Sequence, residues 1–206
     1  MEQDHLIFEP RIQGLDEHVP RKIMHRRTFC FEVFEREDGL WDVDAQMQDH
    51  KMQDITLADE LRPVGTPLHD MVMRVTFDNT LTVVAVEDKT LSAPYMLQCK
   101  TINSAYGKMV GLNVLKGFRA AMKERFADTA GCTHLTELAN IMPTVVVQGI
   151  GTELARRARM LEKDEGTPSK KPFQLDKCHA LSSDSEVARL YYPKWYTGVL
   201  KTEVPT

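Results

Sequence analysis

The chain has 206 residues with a formal net charge of −4, 42% hydrophobic and 27% charged, the balance of a globular protein rather than a disordered or fibrous one. The small negative charge provides no field to recruit nucleic acid. No run approaches about 18 consecutive apolar residues, so no membrane span is expected.

The N-terminus, MEQDHLIFEPRIQGLDEH, lacks a basic segment followed by an apolar run, so it does not read as a secretory signal. A cytoplasmic location is expected, where thiols stay reduced. Residues 1–20 have little periodicity and read as an arm. From Met24 the pattern changes. Phe29, Phe31 and Val33 alternate with Thr28, Cys30 and Glu32, which is strand chemistry. Asp38-Gly39 follows as a hairpin turn. LWDVDAQMQD then places Trp41, Val43, Ala45 and Met47 on one face. The expected hairpin is 28–36 with 40–48.

HKMQDITLADELRPVGTP reads as a connection closed by Pro63, Gly65 and Pro67. HDMVMRVTFD and LTVVAVED flank Asn79-Thr80 as a second hairpin, with Asp78 entering the turn. Together the hairpins predict an antiparallel meander with one buried face. After Pro94 the spacing lengthens to three and four residues. Helices are expected over 95–110, ended by Gly111, over 114–126, and over 133–161, where Pro143 should kink or split the run. GTPSKKP, 166–172, reads as a flexible connection, and the tail ends in RLYYPKWYTG, an aromatic cluster suited to a core edge or a protein partner. Strands followed by helices give an α+β class. The expected organisation is one domain over 1–165 with an extension, 166–206, packing on it.

Chemistry concentrates at element junctions. The cysteines, 30, 99, 132 and 178, form no CxxC pair, so zinc-finger and thioredoxin spacings are absent. Cys99, and Cys132 with His134, stand near helix starts, where a thiol tends toward thiolate. His69 and Asp70 enter the third strand. If the sheet brings these together, His69, Cys99, Cys132 and His134 form a ligand set for zinc or an iron–sulfur cluster. Asp70 would orient an imidazole from behind the ligands. Glu137 would stand beside the site, as a proton shuttle or by favouring the helix start. The competing reading is ordinary packing of the two thiols. A second use of Cys132 is as a nucleophile with His69 or His134 as base and Asp70 as orienting acid. Two residues apart on a helix point about 200° apart, so His134 pairs with Cys132 only if Cys132 precedes the helix proper.

Other groups carry less pattern. Asp42, Asp44 and Asp49, with Lys51 nearby, suit a divalent cation or a solvated strand face. Arg26, Arg27 and Arg36 suit an anionic ligand or pairing with those aspartates. Lys177-Cys178-His179 would cover or complete the site if the tail folds back.

Residues 65 to about 150 resemble the NifU/IscU-type scaffold proteins of iron–sulfur cluster assembly. GTPLHDMVMRV is similar to the segment that carries that family's first cysteine, with His69 in its place. Cys99 in PYMLQCKTINSAYG stands where the second opens a helix. Cys132 in GCTHLTELANIMPTVVVQ stands where the third opens the last long helix. The family's histidine directly precedes that third cysteine; here the position is Gly131, and His134 lies two residues after. The resemblance implies an antiparallel sheet followed by helices, with a metal- or cluster-handling role. A resemblance over nearly the whole chain rests on MHRRTF, ERxDGLWDVDAQMQDHK, GTPLHDM, APYMLQC, GCTHLTEL and DKCHAL in that order. They identify the chain as a member of the bacterial domain-of-unknown-function family 2889, which implies no activity.

Overall fold

A computed structural model describes residues 12, 14–15, 19–57, 60–162 and 171–198. The arm expected over 1–20 lies largely outside the described residues, as does most of the connection at 166–172. The chain divides into two compact units, Met1–Ala155 and Arg156–Thr206.

The Asp38-Gly39 turn sets the register of the first unit. Gly39 takes φ +83°, a left-handed value that glycine reaches without strain, and the Asp38 carboxylate accepts Leu40 N–H at 3.3 Å. The turn joins β1 (His25–Glu35) to β2 (Trp41–Lys51), pairing Glu35 with Trp41 and Arg27 with Asp49. Both strands run past the expected ends away from the turn, to His25 and Lys51, and stop one residue short of them at the turn. β2 pairs in turn with β5 (Pro67–Phe77), and β5 with β6 (Val83–Ser92), giving one antiparallel sheet in the order β1-β2-β5-β6. The β5–β6 turn is held by Asp78, whose carboxylate accepts Thr80 N–H at 2.8 Å and Thr82 N–H at 3.0 Å. The stretch expected as a plain connection holds a short hairpin, β3 (Ile55–Leu57) with β4 (Glu60–Arg62). Three-residue strands lie at the short end of strand lengths and leave little alternation to read.

Odd-numbered residues of β2 and β5 face the core. Val43, Met47, Met71, Met73, Val75 and Phe77 are buried there, each such side chain contributing about 1.5–3 kcal/mol. Helices cover this face. The first is α1 (Met96–Cys99), continuing as a 3₁₀ helix through Lys100–Met109. Gly111, φ +85°, follows it. Next come α2 (Phe118–Arg125) and α3 (Thr133–Val146), the latter lying against β1, β2 and β5. The long run expected from Thr133 to Leu161 is divided. α3 passes through Pro143, a π-helical turn follows at Val147–Gly151, and α4 spans Thr152–Glu162. A side chain at Gly149 would bring its Cβ within 2.8 Å of Val33 on β1, so glycine permits close approach to that strand. Among the described residues no helix is long and apolar enough to cross a membrane.

Asp88 on β6 is a costly member of this layer. Its Oδ2 is buried without a hydrogen-bond partner, and burial pushes its pKa up to about 6. A raised folded-state pKa contributes stability below the ordinary carboxylate pKa that is lost as pH rises through about 6. Asp88→Asn is therefore expected to stabilise the chain by about 1–3 kcal/mol at pH 7–8 and by nearly nothing below about pH 4. Urea midpoints across that range measure the difference.

In the second unit, Asp176 accepts hydrogen bonds from Ser183 N–H at 2.7 Å and from Lys171 Nζ at 2.6 Å. Ser185 caps α5 (Glu186–Tyr191) by accepting Ala188 N–H at 3.1 Å.

Candidate metal centre

The buried row on β2 ends in a charge. Trp41, Val43, Ala45 and Met47 are followed, at the same period of two, by Asp49, which is 1% exposed. A carboxylate at that depth is tolerated only when it is paired. Strand register supplies the partners, because Arg27 on β1 and His69 on β5 are its cross-strand neighbours. The Arg27 guanidinium grips it with two parallel bonds, Nε to Oδ1 and Nη2 to Oδ2, both 2.7 Å. His25 Nε2 lies 3.0 Å from Oδ1, and His69 Nδ1 lies 3.0 Å from Oδ2.

The start of α3 adds a second imidazole. Cys132 is its N-cap, with extended backbone at φ −93° and ψ 126°, so the chain turns before the helix begins. His134 then reaches the strand end, its ring centroid 3.9 Å from that of His69 and its Nε2 3.8 Å from Asp49 Oδ2. Ligand atoms of Asp49, His69 and His134 all lie within 4.8 Å of one another. Glu137, one turn along α3, accepts Arg27 Nη1 at 2.5 Å.

Tyr106 fixes this helix start. Its buried hydroxyl accepts Cys132 N–H at 3.0 Å and donates to the Cys132 carbonyl at 2.8 Å, with Thr136 Oγ1 at 2.7 Å. Burial pushes its pKa up to about 12. The ring stacks on Phe126 at 4.6 Å. Gly131 sits where a Cβ would come 2.7 Å from the Phe126 carbonyl oxygen, so the return from α2 into α3 requires glycine there. Tyr106→Phe strands the Cys132 N–H in a buried place. The expected cost is about 1–3 kcal/mol, read as a lower urea midpoint with an unchanged slope.

Protonation suits ligation. Burial works to raise the Asp49 pKa, but the Arg27 fork, together with His25 and His69, brings it down to about 2. Burial lowers the pKa of His69, reinforced by His134 and opposed by Asp49. Burial likewise lowers that of His134, reinforced by Arg27 and opposed by Asp49 and Glu137. At neutral pH the group thus offers one carboxylate and two neutral imidazoles, the forms that bind a cation.

The residues singled out from the sequence are distributed unevenly. His69 and His134 meet. Cys132 Sγ lies 3.9 Å from His134 Nδ1, the ring nitrogen other than the one that faces Asp49, and is not among the three converging groups. Cys99 packs against the core at the end of α1, which lies by β6. Sheet order puts β6 on the far side of β5 from Asp49. Asp70 does not back the imidazoles, a correction that follows from strand alternation. It faces away from His69 and accepts from Gln46 Nε2 at 2.8 Å and Gln48 Nε2 at 2.9 Å. The carboxylate that meets both imidazoles is Asp49, 3.0 Å from His69 Nδ1 and 3.8 Å from His134 Nε2. Asp42 and Asp44 lie on the face opposite Asp49, where Asp42 is bonded by Thr76 and Arg36 and Asp44 by Arg74. Cys178 and His179 belong to the second unit. Arg27 pairs with Asp49, one of the aspartates expected to partner the arginines; the sequence carries no signal for His25 at the site.

The profile of a family described as "Protein of unknown function (DUF2889)" matches residues 25–148, an interval that begins at His25 and spans the whole site. No curated protein and no solved structure matches the chain.

Proposed function

The chain belongs to this family of proteins of unknown function, DUF2889, and from the geometry of its own residues we propose that it handles a single divalent metal ion of the zinc class. Asp49 Oδ2, His69 Nδ1 and His134 Nε2 are the ligands. The observation that carries the reading is their convergence within 4.8 Å at a buried strand end. Two imidazoles and one carboxylate are an established donor set for zinc and for non-haem iron(II). Three protein ligands leave a tetrahedral ion one open position, as in catalytic rather than structural zinc sites. An iron–sulfur cluster is held mainly by thiolates, and the triad contains none, so a mononuclear ion is the better fit. Within this reading the protein is a metal-handling accessory protein, or an enzyme using the ion's open position. Equilibrium dialysis against zinc tests it: one tightly held ion per chain is expected, and its absence in the folded protein overturns the reading.

One observation favours a second reading. His134 stands between two partners, with Cys132 Sγ 3.9 Å from Nδ1 and Asp49 Oδ2 3.8 Å from Nε2. That order suits a thiol nucleophile, an imidazole base and an orienting acid. Here Asp49 fills the part expected of Asp70. Faster alkylation of Cys132 than of Cys30 by iodoacetamide, lost in His134→Ala, supports this reading; equal rates remove it. A partner role for the aromatic tail also stays a proposal, supported by Tyr191 at 73% exposure beside exposed Leu190.

A further inference from the structure

Arg27 keeps donors that its protein partners do not use. A guanidinium has five N–H groups. Three are engaged here, two by Asp49 and one by Glu137, which leaves one on Nη1 and one on Nη2. The side chain is 31% exposed and the neighbouring His134 side chain 23%, so this corner of the site opens to solvent. Arg27 Nη2 is 2.7 Å from Asp49 Oδ2, the oxygen on which both imidazoles converge.

From these observations, and resting on the metal reading above, we infer that the loaded site takes a small oxyanion, a carboxylate or a phosphate, bridging the ion's open position and the free N–H groups of Arg27. An ion bonded to Oδ2 at about 2.0–2.2 Å lies no more than about 5 Å from Nη2. One oxyanion spans that distance, with one oxygen on the ion and another accepting a charge-assisted N–H bond at about 2.7–2.9 Å. Charge points the same way. Arg27, Asp49 and Glu137 bring one positive and two negative charges, and a divalent ion turns that sum to a single net positive charge. Glu137 opposes the anion, but its bond to Arg27 spends part of its charge.

Cobalt(II) gives the test a readout independent of turnover, the visible bands of the bound ion. Cobalt-loaded protein is titrated with acetate and, separately, with inorganic phosphate. At least one is expected to change the bands in a saturable way, and the tighter of the two identifies the headgroup class. Arg27→Gln should weaken that binding about tenfold or more, as expected for loss of a charged hydrogen bond. Glu137→Gln, which leaves the triad and Arg27 in place, should tighten it. Cobalt uptake with unchanged bands in both titrations overturns the inference and leaves the metal site standing. Unaltered anion affinity in Arg27→Gln does the same. If Arg27→Gln fails to fold, unchanged or weaker binding in Glu137→Gln overturns it. Failure of the unaltered protein to take up cobalt removes the metal reading and this inference with it.

Discussion

Asp49→Ala is expected to destabilise the chain by about 3 kcal/mol. Removing one partner of a buried ion pair typically costs about 3–5 kcal/mol, because the other charge stays behind unpaired. The lower end applies here. Arg27 is 31% exposed and retains Glu137, so part of its charge returns to water. The pKa supplies a separate route to the magnitude. A carboxylate held at about 2, against an ordinary value near 3.8, corresponds to roughly 2.5 kcal/mol. Its sign is fixed by the depressed folded-state pKa. The contribution is present above about pH 4 and is lost as pH falls through 4 toward 2. The gap between the original protein and Asp49→Ala should therefore narrow in acid, as measured by chemical denaturation at pH 7, 4 and 3. A gap that stays constant across that range contradicts the ion-pair account of Asp49.

His134→Ala is expected to lower zinc affinity by more than about 100-fold while leaving stability within about 1 kcal/mol. Loss of a group behind a ligand costs about 10–100-fold, and loss of a ligand exceeds that. The side chain is 23% exposed and sits in the first turn of α3, so its truncation opens little core. Two cysteine variants make the result specific. Cys132→Ala, which removes only the group behind His134 Nδ1, should cost about tenfold. Cys99→Ala should leave affinity unchanged, since Cys99 packs beside the core away from the triad. Competition against a chromophoric chelator measures all three. A Cys99→Ala protein that loses zinc as fully as His134→Ala contradicts the assignment.

Much of this arrangement is legible in the sequence. The Asp38-Gly39 turn and the alternation through Trp41, Val43, Ala45 and Met47 fix the first hairpin and its register. The expected pairing of 28–36 with 40–48 is the observed register. Carried one residue further, it sets Arg27 opposite Asp49. The strands run beyond the clear apolar alternation, where Arg27 and His25 on β1 both bond Asp49 on β2. Asp49 shares a face with Trp41 and Met47, whereas Asp42 and Asp44 face the other way. His69 and His134 were identifiable as imidazoles at element junctions. Their meeting depends on the extended backbone at Cys132 and on Tyr106 tying that cap down, contacts 26 residues apart with no local signal. Convergence of Cys99 with the histidines requires both helix starts to share one end of the sheet. The sheet order, with β6 at the edge beyond β5, places it elsewhere.

X-ray absorption at the zinc edge of the loaded protein tests the central claim most directly. The triad predicts a first shell of nitrogen and oxygen at about 2.0–2.2 Å with no sulfur at about 2.3 Å. A sulfur shell at that distance would contradict it, because the ion would then sit on cysteine and not at the strand end held by Asp49, His69 and His134.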